Sequence, residues 1–232
     1  MLDKEIREKL FDYLDERYGR VRTIEEKIIK KSRADVLAVI DGAILGFEIK
    51  SDSDSYTRLK TQVKDYEIFC DKCYLVAGES HIHAMEHVPE YWGVLFVSDE
   101  NVIVERDAAP CPKVKLKSQL DILWRNELSS IQEKEGLPKL QNKKRSEIYK
   151  RLIETAGEDK IRLDMTEELF ERDYTVYDDQ SFRTTKKGVR AKKKKSTALS
   201  ASAKGDRKRA HVTNYVGKRK SGTRRKVSKK NT

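Results

Sequence analysis

The sequence predicts a mixed α/β domain in which helices flank a central sheet, and three observations carry that expectation. The first is a pair of apolar runs, 34–40 and 43–49, joined by Asp41-Gly42. Asp-Gly between apolar segments is a strong hairpin signal, because a tight two-residue turn of type I′ needs positive φ at both positions. The second is an amphipathic helical pattern on either side of that hairpin, over 3–18 and about 56–69. The third is a set of further short apolar runs, 73–77, 94–97 and 102–105, which alternate with turn residues. Helix, strand, strand, helix and then more strands describe a mixed sheet with helices on its faces.

Taken in order, Ile6, Leu10, Leu14 and Tyr18 recur at helical spacing, and Gly19 is a stop signal. Residues 21–29 read equally as a continuation of that helix or as a first strand. In the hairpin, counting outward from a two-residue turn sets Ile40 against Ala43, Val39 against Ile44 and Asp35 against Glu48. Both faces of the hairpin are apolar except at the end away from the turn, so these are central strands. Ser51–Ser55 is turn-like, and Ser53 or Asp54 could cap the helix that follows. That helix sets Leu59, Val63 and Tyr66 on one face, with Arg58, Gln62 and Tyr66 one turn apart. Beyond Pro110 and Pro112, Leu116, Leu120, Leu123, Leu128 and Ile131 trace a helix ended near Gly136-Leu137-Pro138. Residues 145–156 and 166–172 give two shorter ones, expected to pack together rather than to read DNA as a helix-turn-helix.

The organisation expected is a core over 1–109, a helical region over 110–181 and a tail over 182–232. The 232 residues carry a net charge of +11. From Arg183 onward there are 20 Lys or Arg and a single acidic residue, Asp206. The rest of the chain is net acidic, and the tail, poor in apolar residues, is expected to be disordered. A polycationic tail binds nucleic acid through phosphates with little sequence preference, through runs such as Lys192, Lys193, Lys194, Lys195 and Arg207, Lys208, Arg209.

Three cysteines, Cys70, Cys73 and Cys111, fit a reducing cytoplasm and imply no disulfide framework. Cys70-x-x-Cys73 has no second pair, and His81, His83 and His87 stand at no familiar ligand spacing, so two small buried residues are the better reading. MLDKEIREKL is charged and helical rather than an apolar leader, and no apolar run is long enough for a membrane span.

The end of the hairpin carries the chemistry. Directly opposed residues have Cβ atoms roughly 4.5–5.5 Å apart, so Asp35 and Glu48 repel unless a counter-charge joins them. A hard divalent cation with oxygen ligands is one such partner, and Lys50 shares the face of Glu48. The plainer alternative is a strand end reaching solvent, where Asp, Glu and Lys are common. A wider pattern favours the first reading. Arg33-Ala-Asp35, Gly46-Phe-Glu-Ile-Lys50, Arg58-Leu59, Gln62 and Tyr66, with Val88-Pro-Glu-Tyr-Trp92-Gly93 and Trp124-Arg-x-Glu127, resemble the PD-(D/E)XK nuclease superfamily. Within it they are similar to a largely uncharacterised bacterial and phage family (the sce-type family), and Gln62-x-x-x-Tyr66 looks like the motif of RecB-like members. The likeness spans about residues 5–175. Ala34 stands where the superfamily's name places proline, which is not a ligand.

That resemblance implies a restriction-endonuclease-like fold and Mg²⁺-dependent hydrolysis of DNA, with Mn²⁺ able to substitute. It implies that Asp35, Glu48 and the Ile49 carbonyl hold the cation, that Lys50 and Gln62 act beside it, and that Glu26, or else Glu25, supplies a first-helix carboxylate. Tyr66 is expected to pack beside Gln62, and Arg33 and Arg58 to touch phosphate. The rival expectation is a non-enzymatic nucleic-acid-binding or phage accessory protein that keeps the fold without turnover.

Overall fold

Ile6, Leu10 and Leu14 recur on one stripe of α1 (Asp3–Tyr18), and all three are fully buried. Gly19 closes that helix at φ +69, a left-handed conformation that suits glycine. The computed structural model describes residues 1–174 apart from 79, 82 and 141, so the whole basic tail lies outside the described residues. The ambiguous stretch after Gly19 is a strand, β1 (Arg22–Ile29). Thr23, Ile24, Ile28 and Ile29 supply the β-branched side chains that suit a pleated surface.

Five more strands follow: β2 (Ser32–Ile40), β3 (Ala43–Lys50), β4 (Lys72–Gly78), β5 (Gly93–Val97) and β6 (Val102–Arg106). They form one sheet in sequence order, β1 to β6. β1, β2 and β3 are antiparallel, β3, β4 and β5 parallel, and β5 and β6 antiparallel again. The parallel step from β3 to β4 requires a crossover, supplied by α2 (Leu59–Phe69). α2 begins at Leu59, three residues later than the sequence pattern suggests.

The sheet is covered on both faces. Val36, Ala38, Leu45, Phe47 and Ile49 pack with the buried stripe of α1. Leu37, Val39, Ile44 and Leu75 face the other way and pack with Leu59, Val63 and Tyr66 of α2. The same apolar cluster continues into the helices beyond Pro110: α3 (Leu116–Gln119), α4 (Arg125–Lys134), α5 (Arg145–Ala156) and α6 (Glu158–Glu171). The prolines therefore mark a change of element type, with no break in the core.

Two helices differ from expectation. The single helix expected from Leu116 is a turn of α3, a 3₁₀ turn over Leu120–Ile122, and then α4, with Leu123 and Trp124 extended between them. Glu127 explains the restart: its carboxylate accepts the Trp124 N–H at 2.6 Å and is gripped by Arg172 at 2.5 and 2.6 Å. A buried guanidinium–carboxylate fork fixes that helix start against the end of α6. The second difference is α6, which begins directly after Gly157 (φ +81) instead of near residue 166. Cys70, Cys73 and Cys111 are buried free thiols, as expected of small apolar residues. Among the described residues no helix is long and apolar enough to cross a membrane.

Candidate active site

The hairpin has the counted register. Pairs run from Ile40↔Ala43 to Val36↔Phe47, and the ladder stops there. The turn itself differs from type I′, since Gly42 (φ +75) has positive φ and Asp41 does not. The next pair outward would be Asp35 and Glu48. On the other side of β2, Glu25↔Val36 and Lys27↔Ala34 leave Glu26 as the residue counted opposite Asp35. Glu26 has φ +54, a left-handed backbone that costs a residue with a Cβ roughly 1–2 kcal/mol. Three carboxylates thus fall in one row across β1, β2 and β3, where both ladders open.

Side chains satisfy the backbone groups released there. Asp35 Oδ2 accepts the Ile49 N–H at 2.8 Å, and the Tyr66 hydroxyl accepts the Asp35 N–H at 3.1 Å. The Asp35 carbonyl accepts from Arg7 Nη1 at 2.9 Å. These bonds pair the Asp35 N–H and carbonyl and the Ile49 N–H, groups that would otherwise stand unpaired where the ladders open.

Glu48 is only 1% exposed, and it is enclosed by donors. Lys50 Nζ lies 2.8 Å and Gln62 Nε2 2.6 Å from its Oε1, while the Tyr66 hydroxyl donates to Oε2 at 3.0 Å. Lys50 is itself 6% exposed, so this is a buried ion pair braced by two neutral hydrogen bonds. Removing one partner of such a pair leaves a buried charge and costs about 3–5 kcal/mol. Burial first, and the nearby Glu48 charge second, push the Asp35 carboxyl up to about 7, against the pull of the Ile49 N–H and the Arg7 guanidinium. Burial, then the charges of Glu48 and Asp35, hold the Tyr66 phenol well above its usual range, so it acts as a neutral donor.

These groups line an open cavity of about 650 Å³. Asp35, Glu48, Ile49, Lys50, Gln62, Glu26, Arg33 and Arg58 all reach it. Ile49 does so with its backbone, because its side chain packs on the α1 face. Arg58 is exposed at the start of α2, and Arg33, also exposed, is ion-paired to Glu26 Oε2 at 2.7 Å. The expected tail contacts, Lys192, Lys193, Lys194, Lys195, Arg207, Lys208 and Arg209, lie outside the described residues.

Three points correct the sequence reading. Glu26 comes from β1 and not from the first helix, and of the two adjacent glutamates it is the one in the cavity. Its second oxygen is bound by Arg7 Nη2 at 2.7 Å, so both oxygens are tied to arginines. Tyr66 does more than pack beside Gln62: its hydroxyl joins Asp35 to Glu48. The first helix contributes Asp3 and Arg7, which sequence reasoning missed. The available signal was their i, i+4 spacing on the same side of the helix as Ile6, Leu10 and Leu14, realised as a 2.6 Å ion pair. His81 and His83 are engaged elsewhere, with Tyr56 and Glu86.

The donor set suits a hard cation. Among the described residues no three His, Cys, Asp or Glu side chains converge to cage a metal by themselves. Mg²⁺ does not ask for that, since it keeps several waters and takes one or two carboxylates. Asp35 and Glu48 would supply those, with the Ile49 carbonyl beside them. Gln62 lines the cavity, and its Oε1 is buried without a hydrogen-bond partner.

A family model described as Bacteriophage P4 protein cII matches residues 1–203. No curated protein matches the sequence. Among solved structures, the SPO1766 protein of unknown function from Silicibacter pomeroyi is similar at 17% identity, over 59% of this chain and 94% of that one, with a TM-score of 0.41.

Proposed function

The chain belongs to the bacteriophage P4 protein cII family, and from the geometry of its polar cavity we propose that it is a divalent-cation-dependent nuclease that hydrolyses DNA phosphodiesters. One observation carries the proposal: Asp35 and Glu48 stand side by side at an opened strand end, with Lys50 Nζ and Gln62 Nε2 on the same Glu48 oxygen. The likeness to PD-(D/E)XK nucleases points the same way.

A cation held by Asp35 and Glu48 would polarise the phosphate and lower the pKa of a water. The chain's own residues do the remaining work. Lys50, fixed by Glu48, presents positive charge where a pentavalent phosphate gains negative charge. Gln62, donating from α2 to the Glu48 carboxylate, positions the substrate or the attacking water. Tyr66 holds the Glu48 carboxylate and the Asp35 backbone in place and meets no substrate. Arg58, exposed at the rim with no ion-pair partner among the described residues, takes a flanking phosphate. Arg7 keeps Glu26 turned toward itself, so the third carboxylate does not crowd the first two.

The test is cleavage of circular and linear DNA, single- and double-stranded, with Mg²⁺, Mn²⁺ or EDTA. Cation-dependent products are expected, and Glu48→Gln and Lys50→Ala should each lower the rate by at least about a hundredfold while DNA is still retained. No products on any substrate would replace this reading with a binding protein that lacks turnover.

A further inference from the structure

A second groove runs along the opposite flank of α2 from the catalytic cavity, and it has the parts of a nucleotide-binding surface. Leu59, Val63 and Val88 form its floor, and Lys60 and Lys64 stand exposed on its edge with no ion-pair partner among the described residues. At its upper end Tyr56 and His87 are stacked, with ring centroids 3.8 Å apart and planes 19° from parallel. His87 is exposed, so the outer face of this stack is open to solvent. The platform is tied to the candidate site: the Tyr56 hydroxyl meets His81 Nδ1 at 2.8 Å, and His81 Nε2 meets the carbonyl of Ser51 at 2.7 Å. Ser51 directly follows Lys50.

We propose that this groove binds an unpaired stretch of nucleic acid next to the scissile position, with one base stacked on His87 and adjacent phosphates on Lys60 and Lys64. An aromatic face accepts a base only when that base is free of its partner strand, whereas lysines beside an apolar floor suit backbone phosphates of any sequence. The preferred substrate is therefore nucleic acid with a single-stranded segment, a flap, overhang or gap, rather than continuous duplex. The inference rests on the nuclease reading only for the strand's position relative to the cavity.

The test is equilibrium binding of the full chain in EDTA to a labelled single-stranded oligonucleotide and to a blunt duplex of equal length. His87→Ala should weaken single-strand binding roughly tenfold and leave duplex binding unchanged, and His87→Tyr should restore it. Lys60→Ala with Lys64→Ala should lower the salt slope of single-strand binding by about 1.4, at roughly 0.7 per lost contact. Equal losses on both ligands, or no loss with His87→Ala, overturn the assignment. Because no cation is present, a failure here is separate from a failure to cleave.

Discussion

The Tyr66 hydroxyl donates to Oε2 of Glu48 at 3.0 Å while accepting the N–H of Asp35 at 3.1 Å. One phenol on α2 thus ties the Glu48 carboxylate to the backbone of Asp35 on the neighbouring strand, from a ring that is fully buried against Trp92. Tyr66→Phe removes those hydrogen bonds and keeps the ring. We expect a loss of about 1–3 kcal/mol in urea unfolding, since a buried N–H and a buried carboxylate each lose a partner. A turnover number that falls while KM holds would mark Tyr66 as positioning the site. Unchanged turnover would leave it a packing residue.

Asp35 sets a pH dependence whose sign is opposite to that of an ion-paired carboxylate. It ionises near the ordinary range, about 4, in the unfolded chain and near 7 in the folded one. Between those values the folded chain binds more protons, so this group's contribution makes stability fall as pH rises from about 4 to about 7. The metal-free protein should show that decline in urea midpoint, and Asp35→Asn should remove it. A cation on Asp35 favours its charged form, so Mg²⁺ uptake just below pH 7 should release a proton, read by calorimetry in two buffers of different ionisation heat. Uptake without proton release would place the cation elsewhere.

Gly46 leaves no room for a side chain. A Cβ there would lie 2.6 Å from Cys70 Sγ and 2.7 Å from the Tyr66 ring. Gly46→Ala is expected to cost about 1–3 kcal/mol as an overpacked core and to push Tyr66 off Glu48. A lower activity of Gly46→Ala than of the unaltered chain, measured at a temperature where both are fully folded, checks that coupling.

The basic tail is expected to add affinity without selectivity. Deleting residues after Phe182 should weaken DNA binding and flatten its dependence on salt, because fewer counterions are released. An unchanged slope across a salt titration would give the tail another role.

Much of the site was legible in the chain because its central element is local. Asp41-Gly42 pins a hairpin, and residue counting then carries Asp35 to Glu48 whatever the turn type. That register held although Asp41 lacks the positive φ of a type I′ turn. The i, i+4 step from Gln62 to Tyr66 likewise needs only a helix. Periodicity served less well where a capping contact came from far away: nothing near Trp124 announces that Arg172, from beyond α6, will grip Glu127 and restart the helix there.

The sequence by itself determined the mixed fold, the hairpin register and the two carboxylates, because strand alternation and turn chemistry act between near neighbours. Tertiary structure alone decided that Glu26 joins their row from β1 with both oxygens held by arginines. It alone brought Arg7 to the Asp35 carbonyl and made Tyr66 the link between the acids. Those contacts depend on how α1 and α2 cross the two faces of the sheet. That docking is fixed by the packing of whole apolar faces, and no spacing along the chain records it.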